Sequence, residues 1–599
     1  MPYNSFTDSS FVNALTKRAD LEIFNENKGA VFALELFFSL DDPINILTPA
    51  ITGGSDDAKI DVLFVSRELS SVVLIQAYEA QTFKPTAKGN KGTDLSYALG
   101  VLLTADENDI PEGIRPHVLD ARDAFQSGQI STLHVWFLHN CPESKQIQQQ
   151  MTPCFESSKE QLKKYELDGH KINLSLKEVG LETLDSIYES STQPITINDE
   201  IIFPSPREGF YKSENSWQAF ITTISGEWIA ELYKKHASTQ LFSANVRQFM
   251  GANNKDNDKI INAGIQLSAK ENPKNFLVYN NGITALVHDF DISDGKIKSI
   301  KGISIVNGAQ STGSLGTLPD DVDISDIEIG IRFIKCENKQ TIEAITRYNN
   351  SQNKVLQSDF RANDSIQERL RSEFSRLPSG EYDGGLRGSI TTDRKLKVDA
   401  HSAAQALMAW HGSPYDSYHN KMKIWEDDDL YKTSFNQSIS AEHILFVYTL
   451  LEACNFYLEE LKYKDKNGNI AQNEKDTLLL LNERGSSFLI IHAVQKIIDI
   501  ILEESVKSPY GICFRRNMSR QQCIESWKKL IHMLSYQLQV IKPALKNRLS
   551  NQSAIASACE AFVANFGSLF LVMKNQLAKN PYAEFIQDIN NKIQWIKTI

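Results

Sequence analysis

The sequence predicts a mixed α/β fold in the first two domains of the chain, followed by a mainly α-helical C-terminal region. Short runs rich in β-branched residues, such as 60–66 and 71–78, are typical of strands. After about residue 400, long segments repeat apolar residues every three or four positions, as packed helices do. A length of 599 residues suggests about three or four domains. We divide the chain at 1–200, 201–400 and 401–599.

The first domain is predicted to contain a mixed sheet with helices between its strands. Residues 1–40 have helical periodicity, and the prolines and glycines of 43–54 indicate a loop. The tetrapeptide RELS at 67–70 predicts a hairpin turn between the first two strands. Further strands are predicted at 132–140 and 171–179. Three prolines between 190 and 210 indicate the end of this domain.

The remaining two domains differ in their patterns. In the second, residues 216–236 predict an amphipathic helix, and runs with polar interruptions predict strands at 276–290, 295–310 and 327–335. In the third, four long amphipathic segments predict helices at 441–463, 486–505, 523–541 and 553–575. The second domain is therefore α/β and the third is mainly helical.

Composition and charge exclude several classes of protein. Lys and Arg number 63 against 75 Asp and Glu, and this net charge of -12 excludes a uniformly basic nucleic-acid binder. Residues 1–120 hold 9 basic and 18 acidic residues, whereas 507–550 hold 9 basic residues and one acidic residue. The basic segment predicts either a solvated helix face or a surface that contacts nucleic-acid phosphates. Its candidate residues are Arg515, Arg516, Arg520, Lys528 and Lys529.

Cysteine usage and hydropathy indicate where the protein resides. The seven cysteines lack a CxxC spacing, so reduced thiols are expected. The N-terminus lacks the apolar core of a signal peptide, and no window of about 18 uncharged apolar residues predicts a membrane span. We expect a cytoplasmic protein without membrane contact. P-loop, zincin and serine-hydrolase motifs are absent from the sequence.

An acidic constellation marks the first domain. A predicted helix carries Glu35, the first hairpin strand begins near Asp61, and the second strand carries Gln76. This order resembles the core of the PD-(D/E)xK nucleases, in which Mg²⁺ or Mn²⁺ activates water for attack on a phosphodiester. The resemblance implies catalytic roles for Glu35, Asp61 and Gln76, with Asp61 as the metal ligand. The family has a lysine two residues after the Glu or Gln, and this chain has Tyr78 there.

Tyr78 leaves two interpretations open, because a neutral phenol supplies no fixed positive charge to a phosphate. In one, a lysine of the following loop restores the charge; the candidates are Lys84, Lys88 and Lys91. In the other, the nuclease fold is inactive and serves binding alone. Asp56 and Asp57 are either additional metal ligands or loop-capping residues.

The central region carries four motifs with a characteristic order. They are NVRQFMG (245–251), PKNFLVYNNGIT (273–284), VNGAQST (306–312) and YNNSQNKVLQSDFRAND (348–364). The series resembles the AIPR family, the abortive-infection phage-resistance proteins, over about 240–540, and WEDDDLYKTSF (425–435) resembles a further family segment. Met250 replaces the usual leucine. The resemblance implies a role in phage defence and supports a nuclease-like first domain.

The motif residues are mostly amides and glycines. Amides donate and accept hydrogen bonds, so they suit either a nucleic acid or another ligand, or an internal network that fixes the loops. The candidate binding residues are Asn245, Arg247, Asn280, Asn281, Gly282, Asn307, Gly308, Gln310, Asn350 and Gln352. DFRAND at 359–364 is expected to cap the next helix.

Three functional hypotheses follow from these features. The first is a metal-dependent nuclease of phage defence that binds DNA or RNA. The second is a catalytically inactive sensor or scaffold subunit that works with a defence-system partner protein. The third, a sequence-specific DNA-binding regulator, ranks last because no helix-turn-helix pattern stands out. Homo-oligomerisation is compatible with each of them.

Overall fold

The structure is a computed structural model of the 599-residue chain. It describes residues 3–38, 40–52, 57–87, 91–166, 171–192, 195, 197–236, 241–242, 265–319, 322–350, 361–362, 364–385, 393–577 and 580–590. In these residues a four-stranded sheet, a barrel and a helical region follow one another along the chain. The α/β order and the helical C-terminal region predicted from the sequence are confirmed.

The first sheet has the strand order β1-β2-β3-β4. The strands are β1 (Val62–Ser66), β2 (Ser71–Tyr78), β3 (Thr132–His139) and β4 (Asn173–Val179). β1 and β2 form the predicted antiparallel hairpin, whereas β2, β3 and β4 run parallel. Parallel neighbours require crossover segments, and helices fill them. All four predicted strands are confirmed, and Ile51 adds an antiparallel bridge to Val62.

Helices cover both faces of this sheet. They are α1 (Ser10–Leu15), α2 (Lys28–Phe38), α3 (Pro43–Leu47), α4 (Lys91–Leu103), α5 (Arg115–Gln126), α6 (Lys145–Leu162) and α7 (Leu181–Thr192). Phe37 of α2 packs with Ile75 and Trp136 on one face, and Leu99 packs with Leu74 on the other. The expected loop at 43–54 instead begins with α3, because Asp42 caps the Asn45 N–H and Pro43 occupies the first turn.

The second sheet closes on itself. Its strands are β5 (Ile197–Ser213), β6 (Trp217–Ser225), β7 (Ile283–Val287), β8 (Asp289–Ser293), β9 (Lys296–Asn307) and β10 (Glu328–Cys336). The order is β5-β6-β10-β7-β9-β8, and β5 also pairs with β9. Five strands therefore form a barrel, to which β8 is added beside β9. Its interior holds apolar side chains such as Phe220, Ile283 and Phe333.

Two elements of the barrel differ from the sequence expectation. The proline-containing stretch near 190–210 includes most of β5, and the pairing of β5 with β9 shifts register between Ile202 and Arg207, where two prolines lie. Residues 216–236 were expected to form one helix, but β6 precedes α8 (Gly226–Lys235). The β-branched run 221–224 favours a strand, and the Ser225 hydroxyl accepts the Trp228 N–H to begin the helix.

Short helices surround the barrel strands. They are α9 (Phe276–Tyr279), α10 (Ala309–Gly316) and α11 (Lys339–Asn350). α9 replaces the first part of the strand expected at 276–290, so that strand is shorter than predicted. α10 begins directly after β9, and α11 packs against β9 and β10. Both helices therefore carry family motifs to the same end of the barrel.

The C-terminal region is built around one large apolar core. Its α-helices in the described residues are α12 (Ser365–Phe374), α13 (Ala400–His411), α14 (Pro414–His419), α15 (Lys423–Glu426), α16 (Asp428–Ser434), α17 (Ala441–Lys466), α18 (Gln472–Leu481), α19 (Ser486–Leu502), α20 (Arg520–Met533), α21 (Ser535–Leu538), α22 (Gln552–Leu577) and α23 (Ala583–Asp588). The four predicted helices are confirmed, with 523–541 divided between α20 and α21. Leu370 of α12 already belongs to this core, so the helical packing begins before residue 400.

Two further expectations concern cysteines and membranes. All seven cysteines are free thiols. In the described residues, α22 is long and apolar enough to span a membrane by length and composition, a test that core helices of soluble proteins also pass. Phe562 and Phe566 of α22 are buried in the C-terminal core, although only 28% of its most apolar 18-residue stretch is buried. The cytoplasmic location stays a prediction.

Candidate functional site

Asp61 and Gln76 lie together at the open end of the β1–β2 hairpin. The Asp61 N–H donates to the Ile75 carbonyl at 2.9 Å. Its Oδ2 accepts the Ala77 N–H at 2.7 Å. Asp61 thus contacts both residues that flank Gln76, and the nuclease-like site stays a prediction.

Both residues of this pair have oxygen atoms in a poorly solvated setting. Burial raises the pKa of Asp61 to about 6, although the bond from the Ala77 N–H opposes that shift. Gln76 is only 2% exposed, and its Oε1 has no hydrogen-bond partner among the described residues. Leaving a buried acceptor unpaired costs free energy, so this atom is suited to bind a cation or water.

These oxygens are the donor type that Mg²⁺ and Mn²⁺ prefer. Among the described residues, however, no three His, Cys, Asp or Glu side chains are grouped as a metal site. Asp56 lies outside the described residues. The carboxylate of Asp57 stabilises a loop turn, because its Oδ1 accepts the Lys59 N–H at 2.9 Å. Asp61 and Gln76 are therefore the metal-binding candidates in the described part of the hairpin.

A lysine of the following loop reaches Tyr78. The ammonium Nζ of Lys84 donates to the Tyr78 hydroxyl at 3.3 Å. Tyr78 lies on the same strand face as Gln76, because side chains alternate along β2. A positive charge thus lies beside the position where the nuclease family has its lysine. Lys88 and the side chain of Lys91, the other two candidates, lie outside the described residues.

Glu35 is held away from this pair. Its Oε1 is 2.5 Å from Nη1 of Arg394, and its Oε2 is 2.6 Å from Nη1 of Arg18. Its helix α2 packs on the sheet face that contains Ile75, whereas Gln76 alternates to the opposite face with Leu74. The structure does not bring Glu35 to Asp61, and two arginines neutralise its carboxylate.

Sequence reasoning missed two charged neighbours of Asp61. Glu26 raises the pKa of Asp61 and Lys466 lowers it, and these two residues form an ion pair with each other. Lys466 ends α17 in the C-terminal region, about 400 positions further along the chain. No local pattern connects residues so distant in sequence.

The central motifs meet in one polar cluster on the barrel. Thr284 of the YNNGIT motif pairs across β7 and β9 with Asn307 of the next motif. Asn307 Nδ2 donates to the Asn349 carbonyl at 2.6 Å. Arg332 Nη2 donates to Thr284 Oγ1 at 2.7 Å and to Asn349 Oδ1 at 3.2 Å. Arg332 was not a sequence candidate, although the inward alternation of Ile331 and Phe333 indicates its outward position.

The structure explains why two of the motif positions are glycine. Gly282 has φ of 77°, and a Cβ there would lie 2.5 Å from the Gly330 carbonyl oxygen. Gly308 has φ of 95°, and a Cβ there would lie 2.9 Å from the Gly282 carbonyl oxygen. Both positions need a residue without a side chain, since the backbones of β7, β9 and β10 approach closely here.

The remaining motif candidates divide into three groups. Asn280 Nδ2 donates to the Phe276 carbonyl at 3.0 Å and stabilises the end of α9. Asn281 is exposed, and Gln310 is half-buried in the first turn of α10. Asn245, Arg247, Gln352 and the side chain of Asn350 lie outside the described residues. As expected, Asp364 caps α12 by accepting the N–H groups of residues 366 and 367.

The basic residues near the C-terminus do not form a uniform surface. Arg520 is buried and binds Glu452 through two hydrogen bonds of 2.9 and 2.8 Å, so it has to be removed from the group of surface candidates. Lys528 is paired with Glu460 at 2.8 Å. Arg515, Arg516 and Lys529 remain exposed. Buried arginines of this kind hold helices together, which the charge count alone does not reveal.

The comparisons with known proteins concern the region of these motifs. The family model described as AIPR protein matches residues 242–543. Neither a curated protein nor a solved structure matches the chain. The match covers just over half of the chain and includes all four central motifs. The chain therefore belongs to the AIPR family.

Proposed function

We propose that this AIPR protein acts in abortive-infection phage defence as a metal-dependent nuclease with its site at Asp61, Gln76 and Lys84. The observation that carries the proposal is the contact of the Lys84 ammonium with Tyr78, which brings a positive charge to the residue that replaces the family's lysine. Asp61 binds the backbone on both sides of the same glutamine. In this proposal, one hairpin and its following loop would supply the three residue types of a PD-(D/E)xK site.

Each residue has a chemical task in this proposal. The Asp61 carboxylate and the orphan Oε1 of Gln76 would hold Mg²⁺ or Mn²⁺. The bound ion would activate water and offset the negative charge of the phosphodiester. The Lys84 ammonium would bind a phosphate oxygen, where a point charge stabilises the charge that develops during attack. The Tyr78 hydroxyl accepts a hydrogen bond from Lys84 and positions it.

The test is cleavage of DNA and RNA, single- and double-stranded, by the purified full-length chain with Mg²⁺ or Mn²⁺. Asp61→Ala and Lys84→Ala should each lower the rate at least about 100-fold, because each removes a charge from the transition state. Lys159→Ala, an exposed lysine of α6, is the control and should cleave normally. Cleavage by Asp61→Ala at the rate of the unmodified chain, or no cleavage of any substrate, would refute the proposal.

The second candidate is a catalytically inactive sensor or scaffold subunit in a multi-protein defence system. The observation that favours it is that Glu35 forms ion pairs with Arg18 and Arg394, so one of the two acidic residues of the nuclease pattern is used elsewhere. It predicts that Asp61→Ala and Lys84→Ala leave phage protection unchanged in plating assays. A partner protein that co-purifies with both variants would support it, whereas loss of protection in both would favour the nuclease.

A further inference from the structure

One row of side chains crosses the outer surface of the barrel. Strand register pairs each member directly with the next: Phe210 with Ile221, Ile221 with Arg332, Arg332 with Thr284, and Thr284 with Asn307. Directly paired residues point to the same face of a sheet. Their strand neighbours Phe220, Ile331 and Ile283 point into the core, so this row, which we call the barrel row, points outward.

The first half of the barrel row exposes apolar surface to solvent. The Phe210 ring is 62% exposed, and Ile221 beside it is 42% exposed. Leu277 of α9 lies on the same face of β10, two residues before Arg332, since its Cδ1 would be 3.8 Å from a Cβ built on Gly330. Exposing an aromatic ring and its aliphatic neighbours to water is unfavourable, so such a group is typical of a binding surface.

The middle of the row carries an oriented positive charge. Arg332 uses Nη2 for its bonds to Thr284 and Asn349, and its side chain is exposed. Among the described residues, no carboxylate pairs with this guanidinium, and Nε and Nη1 donate no hydrogen bond. A guanidinium held on one edge presents its other donors in a fixed fork, which matches the oxygens of a phosphate.

We propose that the barrel row binds single-stranded nucleic acid, with a base stacked on Phe210 and a phosphate on Arg332. This inference shares one premise with the proposed function, namely that the substrate is a nucleic acid. Neighbouring strands are about 4.8 Å apart, so Phe210 and Arg332 are separated by about 10 Å across β6. Stacking on an exposed ring needs an unpaired base, whose faces a duplex hides. The row therefore selects single strands and reads no base edge.

The test is fluorescence anisotropy of the full-length chain with short labelled DNA and RNA oligonucleotides in EDTA, which prevents metal-dependent cleavage. Phe210→Ala should weaken binding about 5- to 100-fold, the range for loss of one stacked base. Phe210→Tyr should bind normally, since the ring is retained. Arg332→Ala should lower the slope of log affinity against log salt by about 0.7, while Phe210→Ala leaves that slope unchanged.

Two exposed residues of the C-terminal region provide matched controls. Tyr463→Ala removes a ring of similar exposure, and Lys475→Ala removes an exposed cation that lies outside the basic segment 507–550; both variants should bind normally. Normal binding by Phe210→Ala and Arg332→Ala would refute the proposal that the barrel row binds nucleic acid. Equal affinity for duplexes and single strands would refute its selectivity for single strands. Cleavage with unchanged Phe210→Ala binding would overturn this inference alone, whereas tight binding without cleavage would overturn the nuclease proposal alone.

Discussion

Asp61 and Glu35 are acidic residues of one domain whose surroundings assign them different tasks. Glu35 lies between two arginine side chains at 2.5 and 2.6 Å, so its charge is fully paired. Asp61 has a backbone N–H as its hydrogen-bond donor, and burial raises its pKa to about 6. In the described residues Asp61 forms no direct ion pair, although Lys466 acts on it from a distance; such a carboxylate is typical of a functional site, whereas a doubly paired one is typical of a structural contact.

The raised pKa of Asp61 makes a prediction about stability. The folded chain holds this proton more tightly than the unfolded chain, so ionised Asp61 costs stability above pH 6, and the cost disappears as pH falls toward 4. Asp61→Asn can still accept the Ala77 N–H. We expect it to raise the free energy of unfolding by about 1–3 kcal/mol near pH 7.5, with no gain near pH 4. Thermal unfolding across this pH range measures the difference.

The control for Asp61→Asn is Glu68→Gln, which neutralises a more exposed carboxylate in the turn of the same hairpin. It should change stability by less than about 1 kcal/mol at either pH. Addition of Mn²⁺ should stabilise the unmodified chain and not Asp61→Asn, because the ligand charge is gone. A stability difference that stays constant with pH would contradict the burial-driven shift.

Arg520 is a buried charged residue, and its removal should destabilise the folded protein rather than impair a functional site. It makes two hydrogen bonds to Glu452, and both residues are buried. Arg520→Ala leaves that carboxylate unpaired in the core, so we expect a loss of about 3–5 kcal/mol in urea unfolding. The exposed Arg516 pairs with Glu442, and Arg516→Ala should cost less than about 1 kcal/mol. Equal effects of the two substitutions would contradict the buried pairing.

At the scale of elements, the sequence predicts a helix or strand most clearly where the spacing of apolar residues and the local turn or capping residues agree. The β1–β2 hairpin was predictable because two β-branched runs flank a short polar turn. Residues 216–236 were not, since their apolar spacing fits a helix while pairing with β10 selects a strand for 217–225. The barrel closure was also hidden, because the pairing of β5 with β9 joins segments about 100 residues apart.

Two glycines of the barrel allow a matched test of backbone crowding. Gly282 and Gly295 have nearly equal φ of 77° and 73°, but only Gly282 faces a close neighbour, the Gly330 carbonyl. Gly295→Ala should cost about 1–2 kcal/mol from the left-handed backbone alone. Gly282→Ala should cost about 1–3 kcal/mol more, because the new methyl group overlaps β10. Equal melting temperatures of the two variants would contradict the crowding.

At the scale of the whole molecule, the uneven charge has a structural use. Basic residues of the C-terminal region form ion pairs with the acidic first domain. These pairs are Arg394 with Glu35, Lys397 with Asp41, Lys421 with Glu68, Lys466 with Glu26, Arg484 with Asp120, and Arg548 with Asp120 and Asp123. The charge count at 1–120 was readable from the sequence. Its partners were not, because they come from separate segments of a distant region, several of them turns between helices.

Asp120 is the most enclosed acidic residue of this interface. It lies on α5, is only 3% exposed, and accepts a hydrogen bond from Arg67 Nη2 at 2.8 Å. Nε of Arg484 is 3.3 Å from its other oxygen, and Nε of Arg548 is 3.6 Å from its first. One carboxylate therefore links the hairpin turn of the first domain to two segments of the helical region.

Asp120→Asn should separate these two regions. The substitution keeps the shape of the side chain but leaves three arginines around a neutral group, at a cost of about 3–5 kcal/mol. Because that cost falls on the contact between the regions, we expect the first domain to unfold before the helical region, as two calorimetric transitions. Asp41→Asn, which neutralises the exposed partner of Lys397, should change stability by less than about 1 kcal/mol. A single transition at the original temperature in Asp120→Asn would show that the ion pairs of Asp120 do not hold the two regions together.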